Sequence, residues 1–221
     1  MKYLIFSDTH LTPQFEPDKC RLLLEAIRDA DRVIINGDFW EGYLCSFDEL
    51  VASQWSKKLF PALLAKKAIY LFGNHDLKKL SDERVNLFCE KTASQYEFKS
   101  GDFTFIVEHG DRVYPMLDSR IGLMLPGWII KILQSVEELA LRIFGHGFTH
   151  HAYRPMNEKV KKGEIISQMD EHTYLVMGHT HYGEVDHNAR YINSGFNKYG
   201  YISYVTVEDG KIDLIQKKYK E

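Results

Sequence analysis

The chain has 221 residues, 44% hydrophobic and 27% charged, an ordinary globular balance with enough length to bury a core without staples. A net charge of −3, from 28 basic and 31 acidic side chains, gives no strong field for nucleic acid or an anionic membrane. Cys20, Cys45 and Cys89 are odd in number and far apart, fit no zinc spacing or disulfide framework, and point to a reducing cytoplasm.

The opening M-K-Y-L-I-F-S-D-T-H has an apolar run of about four residues, short of the roughly 7–15 of a secretory signal. It reads as a strand, Lys2–Phe6. Further short apolar runs predict strands at Arg32–Ile35 and Ala68–Phe72. Between them, Asp18–Asp29 places Leu22, Leu23, Ala26 and Ile27 on one side of a helix, and Phe47–Leu64 reads as a second helix broken near Pro61. This is βαβ alternation, a sheet with helices packed on it. Ser81–Lys91 reads as a third helix with Ser81 as its N-cap.

The pattern then changes. Tyr96–Lys99 and Phe103–Glu108, joined by S-G-D, predict a hairpin. Thr173–Met177, Arg190–Asn193, Tyr201–Glu208 and Lys211–Gln216 follow as strands, the last two joined by D-G. These suggest a mostly antiparallel β region, hence two stacked sheets flanked by helices. Between them, residues from about 112 to 171 read as a helical insert in a single domain covering 1–221. In Pro126–Phe144, Ile129, Ile132, Leu133, Val136, Leu139, Ala140 and Ile143 recur at helical spacing, with Lys131, Gln134, Glu137, Glu138 and Arg142 on the other side. The expected arrangement is an amphipathic helix packed on the body, or a cap whose apolar side shapes a substrate pocket. Asn157–Met169 reads as another helix. Ile121–Leu133 contains Pro126, Gly127 and Lys131 and falls short of the roughly 18 apolar residues of a membrane span.

Five predicted strands end in polar clusters: Ser7-Asp8-Thr9-His10, Asn36-Gly37-Asp38, Gly73-Asn74-His75-Asp76, Glu108-His109-Gly110-Asp111 and Gly178-His179-Thr180-His181. Singly each is weak: D-x-H is often a capping or surface pair, and N-G-D is natural turn chemistry. Together they matter, because ligands of open α/β sheets bind outside the carboxyl ends of strands. Imidazole with carboxylate suits Mn, Fe, Zn, Ni or Co better than Mg or Ca alone. Asp8, His10, Asp38, Asn74, His109, His179 and His181 are too many ligands for one ion and suit two if one carboxylate bridges. Two such ions can generate a bridging hydroxide and clamp a phosphoryl oxygen, which predicts hydrolysis of a phosphodiester, phosphomonoester or pyrophosphate.

The five blocks S-D-T-H, N-G-D, G-N-H-D, H-G-D and G-H-T-H resemble the signature blocks of the calcineurin-like metallophosphoesterases. The resemblance implies a four-layer αββα sandwich and two divalent ions, with Mn the first expectation. It implies Asp8, His10 and His181 on the first ion, Asn74, His109 and His179 on the second, and Asp38 between them. His75 is implied to stabilise the phosphate or protonate the leaving oxygen, with Asp76 as its orienting partner. Phe39-Trp40-Glu41-Gly42-Tyr43, the S-D-T-H-L start and the placement of the insert are similar to the UDP-2,3-diacylglucosamine pyrophosphatase group, whose helical cap holds acyl chains. That group's best-known branch has arginine at the position of His75. The implied substrate is a phosphorylated small molecule or a nucleotide-lipid, with peripheral membrane contact through the insert as a further expectation. A nuclease and a non-catalytic scaffold are the competing readings; mild acidity speaks against the first and the complete ligand set against the second. His146, His150 and His151 read as solvated loop residues that could reach a phosphate, and His172 and His187 as surface residues.

Overall fold

The structure is a computed structural model that describes residues 1–116 and 121–220. Residues 117–120 of the expected insert, and the last residue of the expected domain, lie outside the described residues. Strands β1 (Lys2–Phe6), β2 (Arg32–Asn36), β3 (Ile69–Leu71) and β4 (Lys91–Ala93) run parallel. Helix α1 (Pro17–Asp29) links the first pair; α2 (Phe47–Ala52), α3 (Gln54–Lys58) and α4 (Phe60–Ala65) link the next. The second sheet holds β5 (Gln95–Ser100), β6 (Phe103–Glu108), β7 (Thr173–Met177), β8 (Glu184–Asp186) and β9 (Tyr191–Asn193) in the order β5-β6-β7-β9-β8. Between β6 and β7 lie α5 (Gly127–Phe144), α6 (His146–Ala152), α7 (Arg154–Lys161) and α8 (Glu164–Ser167). The chain ends with β10 (Tyr201–Glu208) and β11 (Lys211–Lys218).

Period-two patterning builds the layers. On β1, Tyr3 and Ile5 join Ile34, Ile69, Phe105, Val107 and Val176 in the core between the sheets. Leu4 and Phe6 point the other way, against Leu23 and Ile27 of α1, Leu50, Trp55 and Leu63. On the far side, Leu175 and Met177 meet Val160 of α7 and Ile166 of α8. Two sheets flanked by helices is the expected αββα arrangement.

Several elements depart from expectation. The second sheet is not mostly antiparallel: β6–β7 and β7–β9 pair in parallel, and between β6 and β7 the helical insert provides the long crossover that parallel neighbours need. The β10–β11 hairpin belongs to the first sheet, where β10 pairs with β1. The expected helix Phe47–Leu64 is three short helices. Ser53 turns extended and caps α3, the next break comes at Leu59, and Pro61 sits harmlessly in the first turn of α4. Over 81–91 there is only a 3-10 turn, Glu83–Leu87, capped by Asp82 rather than Ser81. Asp82 accepts from the Arg84 N–H, a local bond that competes with a regular helix.

The most consequential departure is α5. It covers the predicted span, but Trp128, Ile132, Val136, Leu139 and Ile143 of its apolar stripe are exposed. Only Ile130 and Leu141 are fully buried, and the side turned inward carries Gln134 and Glu137. Buried polar bonds, described below, fix its rotation. Among the described residues, no helix is long and apolar enough to cross a membrane.

Candidate metal centre

The five polar clusters converge because the strands before them end at one rim of the sandwich, and backbone bonds tie the loops together. The Asp8 N–H donates to the Gly37 carbonyl at 3.1 Å, His10 to Asp38 at 3.0 Å, and Gly178 to His109 at 3.0 Å. Asp8, His10, Asp38, His179 and His181 all have left-handed backbones, with φ of 52°, 43°, 51°, 62° and 62°. Each such non-glycine residue costs about 1–3 kcal/mol, so together they approach the ~5–15 kcal/mol stability of a whole domain. Glycines admit the carboxylates: a Cβ on Gly73 would lie 2.2 Å from Asp38 Oδ1, and one on Gly178 would lie 2.5 Å from Asp8 Oδ2.

Three groups of side chains hold their ligand atoms within 4.8 Å of one another: Asp8, His10 and His181; Asp38, His109 and His179; and His10, Asp38 and His75. Asp38 belongs to two of them. Its Oδ2 lies 3.8 Å from His10 Nε2 and 3.2 Å from His109 Nε2. Asn74 joins the second group, with Oδ1 3.3 Å from His109 Nε2. His181 Nε2 lies 3.3 Å from Asp8 Oδ1. Yet Asp8 Oδ1 and His10 Nε2, both buried, have no hydrogen-bond partner among the described residues. Leaving a buried polar atom unsatisfied costs about 1–3 kcal/mol, more for a charged one. A cation supplies the missing partner, so this donor set fits bound metal.

The far side of each imidazole is fixed. His10 Nδ1 donates to Glu41 Oε2 at 3.0 Å, and His181 Nδ1 lies 3.5 Å from Glu137 Oε1. His109 Nδ1 donates to the Asn36 carbonyl at 2.9 Å, and His179 Nε2 to the Tyr114 carbonyl at 3.0 Å. Such outer bonds select the tautomer and turn the other nitrogen toward a metal.

Burial pushes the Asp8 carboxyl up, but His181 and His109 beside it bring it down to about 2. Burial acts the same way on Asp38, and His109 and His75 hold it well below the usual carboxylate range. Burial alone would strip His109 of its proton; Asp38 and Asp8 raise it to about 10 instead. A metal ion takes the place of that proton on binding.

A family model, that of the calcineurin-like phosphoesterases, matches residues 1–183. The chain belongs to this family. It is therefore a metal-dependent phosphoester hydrolase. Solved structures share the fold of this phosphoesterase: the Escherichia coli phosphoesterase YfcE at 18% identity, TM-score 0.53, over 100% of both chains. A dimetal phosphatase from Danio rerio is 13% identical with TM-score 0.51 over 99% of each chain. No curated sequence matches it.

Within the phosphoesterase, one expected contact is corrected. Asp76 accepts from the backbone N–H groups of Asp38 at 3.1 Å, Phe39 at 2.6 Å and Gly73 at 2.6 Å. It ties the second and third loops together, and burial followed by the nearby Asp38 raises it to about 6. The carboxylate on His75 Nδ1 is Glu41 Oε1, at 2.7 Å. Asp76 directly follows His75, but its side chain turns back beneath the loop, whereas Glu41 comes across from the chain after β2. Sequence reading missed Glu41 as a site residue, although a carboxylate three residues past Asp38 was a usable signal. It also missed the roles of Gln134, Glu137 and Lys198, which only tertiary structure brings to the centre. Gln134 Nε2 donates to Glu41 Oε2 at 2.8 Å. Glu137 Oε2 accepts from Lys198 Nζ and from the Tyr199 hydroxyl, each at 2.9 Å, and Tyr153 donates to Oε1.

His150 and His151 stand on α6 rather than a loop, are exposed, and contact Arg154 and the Gly147 carbonyl. The side chain of His146 lies outside the described set. His172 and His187 are exposed, as expected. A polar cavity of about 560 Å³ and an apolar one of about 390 Å³ flank the inward side of α5, and both include His10, Gln134 and Lys198.

Proposed function

We propose that the phosphoesterase binds two divalent transition-metal ions, with Mn the first candidate among Mn, Fe, Zn, Ni and Co, and acts in the cytoplasm. Asp8, His10 and His181 hold one ion, Asn74, His109 and His179 the other, and Asp38 both. When bound, the ions supply a nucleophile from water at neutral pH and a Lewis acid for the phosphoryl oxygens. The chain's own contribution is to orient these ligands and to hold His75 at the mouth of the site. There its Nε2 lies 3.9 Å from Asp38 Oδ2, placed to give a proton to the leaving oxygen. The observation that carries this reading is the pair of buried, unpartnered ligand atoms, Asp8 Oδ1 and His10 Nε2, beside a carboxylate shared between two groups.

A second reading concerns the substrate. The apolar cavity reaches from His75 and His181 to Leu125, Ile130, Leu133 and Phe148, while the polar one reaches Lys19, Lys131 and Lys220. A nucleotide-lipid pyrophosphate would place its two unlike ends in these two spaces. The exposed stripe of α5 would then rest against the bilayer that supplies the lipid.

The test is metal-stripped protein, with and without added Mn, given phosphomonoesters, phosphodiesters and nucleotide-diphospho-lipids, with products identified. Hydrolysis that requires Mn supports the reading, and the product identifies the bond. Two bound ions with no hydrolysis of any ester would return the non-catalytic scaffold. Activity confined to oligonucleotides and lost as salt rises would return the nuclease.

A further inference from the structure

Asn157 stands on α7 of the insert and is fully buried, a rare setting for a polar side chain. Its amide uses every bond it has. Oδ1 accepts from the Thr180 hydroxyl and, at 3.1 Å, from the Tyr191 hydroxyl of β9. Nδ2 donates to the Tyr182 carbonyl and to Glu184 Oε2 of β8, each at 2.9 Å. Neither of those two acceptors can donate, so the amide has one orientation only.

Thr180 lies between His179 and His181 in the loop after β7 and is itself buried. Its hydroxyl is gripped from a second side, accepting from Asn193 Nδ2 at 2.8 Å, and Asn193 also donates to the Gly178 carbonyl at 2.7 Å. The histidines on either side of Thr180 both have left-handed backbones, with φ of 62°. Such backbones persist only where their surroundings over-determine them. Asp8 supplies part of that constraint by accepting from the His179 N–H at 3.0 Å. Asn157 supplies more, and its bonds to Thr180 and Tyr182 fall on both neighbours of His181.

We infer that Asn157 is a positioning residue through which the helical insert sets the loop of His179 and His181 for metal. The inference rests on the proposed ligand roles of those two histidines. They belong to different groups, His181 with Asp8 and His179 with Asp38, so one buried amide acts on both. The competing account is that Asn157 merely docks α7 on the sheet. Lys161, one turn further along the same helix, separates the two accounts. Its Nζ donates to Glu184 Oε1 at 2.7 Å and to Asp186 Oδ2 at 2.9 Å, so it ties α7 to β8 rather than to the histidine loop.

The experiment takes full-length wild type, Thr180→Val, Asn157→Ala, the double variant and Lys161→Met. Mn stoichiometry and affinity are measured by calorimetry, and stability by urea unfolding. Thr180→Val keeps the branched shape and loses only the hydroxyl, so it carries the test even if Asn157→Ala does not fold. Thr180→Val and Asn157→Ala should each weaken at least one ion by about 10- to 100-fold, the usual cost of losing a group that orients a ligand. The double variant should bind no more weakly than Asn157→Ala, because both changes remove the same bond. Lys161→Met should lower stability and leave both ions as in the wild type. Unchanged affinity in Thr180→Val, additive losses in the double variant, or equal weakening by Lys161→Met overturns the inference and leaves the proposed function standing. A wild type that binds no Mn overturns both.

Discussion

The two groups of side chains in the candidate metal centre are built differently. The histidines grouped with Asp8 rest on carboxylates: His10 on Glu41 and His181 on Glu137. The histidines grouped with Asp38 rest on backbone carbonyls, of Asn36 at the end of β2 and of Tyr114 just past the fourth cluster. A carbonyl comes with the chain path, and no substitution removes it. A carboxylate is a separate side chain, and Glu137 comes from the insert helix. The carbonyl-backed group therefore depends on the chain path after β2 and β6, while the other depends in part on where α5 sits.

The largest expected effect comes from removing what both halves share. Asp38→Ala should weaken both ions and lower turnover at least about 10³-fold, seen in metal content and rates. Loss of only one ion would mean that Asp38 serves a single half. Gly73→Ala should come next. Its Cβ would meet Asp38 Oδ1 at 2.2 Å and His109 Cδ2 at 2.9 Å, so metal affinity should drop while the fold, followed by circular dichroism, persists. Unchanged affinity would show that the loop can give way.

Glu137→Gln sharpens the comparison itself. The amide fills the same space but removes the charge opposite His181. One ion should weaken by about tenfold in calorimetry and the other should not. Equal weakening of both would erase the distinction between the halves. The smallest effect belongs to the outer side of the same helix. Leu139→Glu, on the exposed stripe, should shift stability by no more than about 0.5 kcal/mol in urea unfolding and leave both ions alone. A large loss of stability would show that the stripe is covered.

Much of the candidate ligand set was legible because each of its residues sits beside the strand that places it. Asp8, Asp38, Asn74, His109 and His179 lie within a few residues of a strand end, so local sequence carries their position. Glu41, Gln134 and Glu137 are legible only in part, since their partners are 31, 93 and 44 positions away. The helix α5 shows why. Hydrophobic period reveals that a helix has an apolar side, not that this side faces the protein. Here buried polar bonds to Glu41, Lys198 and Tyr199 turn the charged side inward. The β10–β11 hairpin makes the same point for strands: its turn was plain from D-G, but nothing local chose between the two sheets.

The most direct measurement is the Mn stoichiometry of the metal-stripped protein, by calorimetry with elemental analysis, for wild type, His181→Ala and His109→Ala. Two ions per chain are predicted for the wild type. Each variant should retain one, with His181→Ala keeping the carbonyl-backed site and His109→Ala the carboxylate-backed one. A wild type that binds a single ion, or two variants that lose the same ion, would contradict a centre made of two halves.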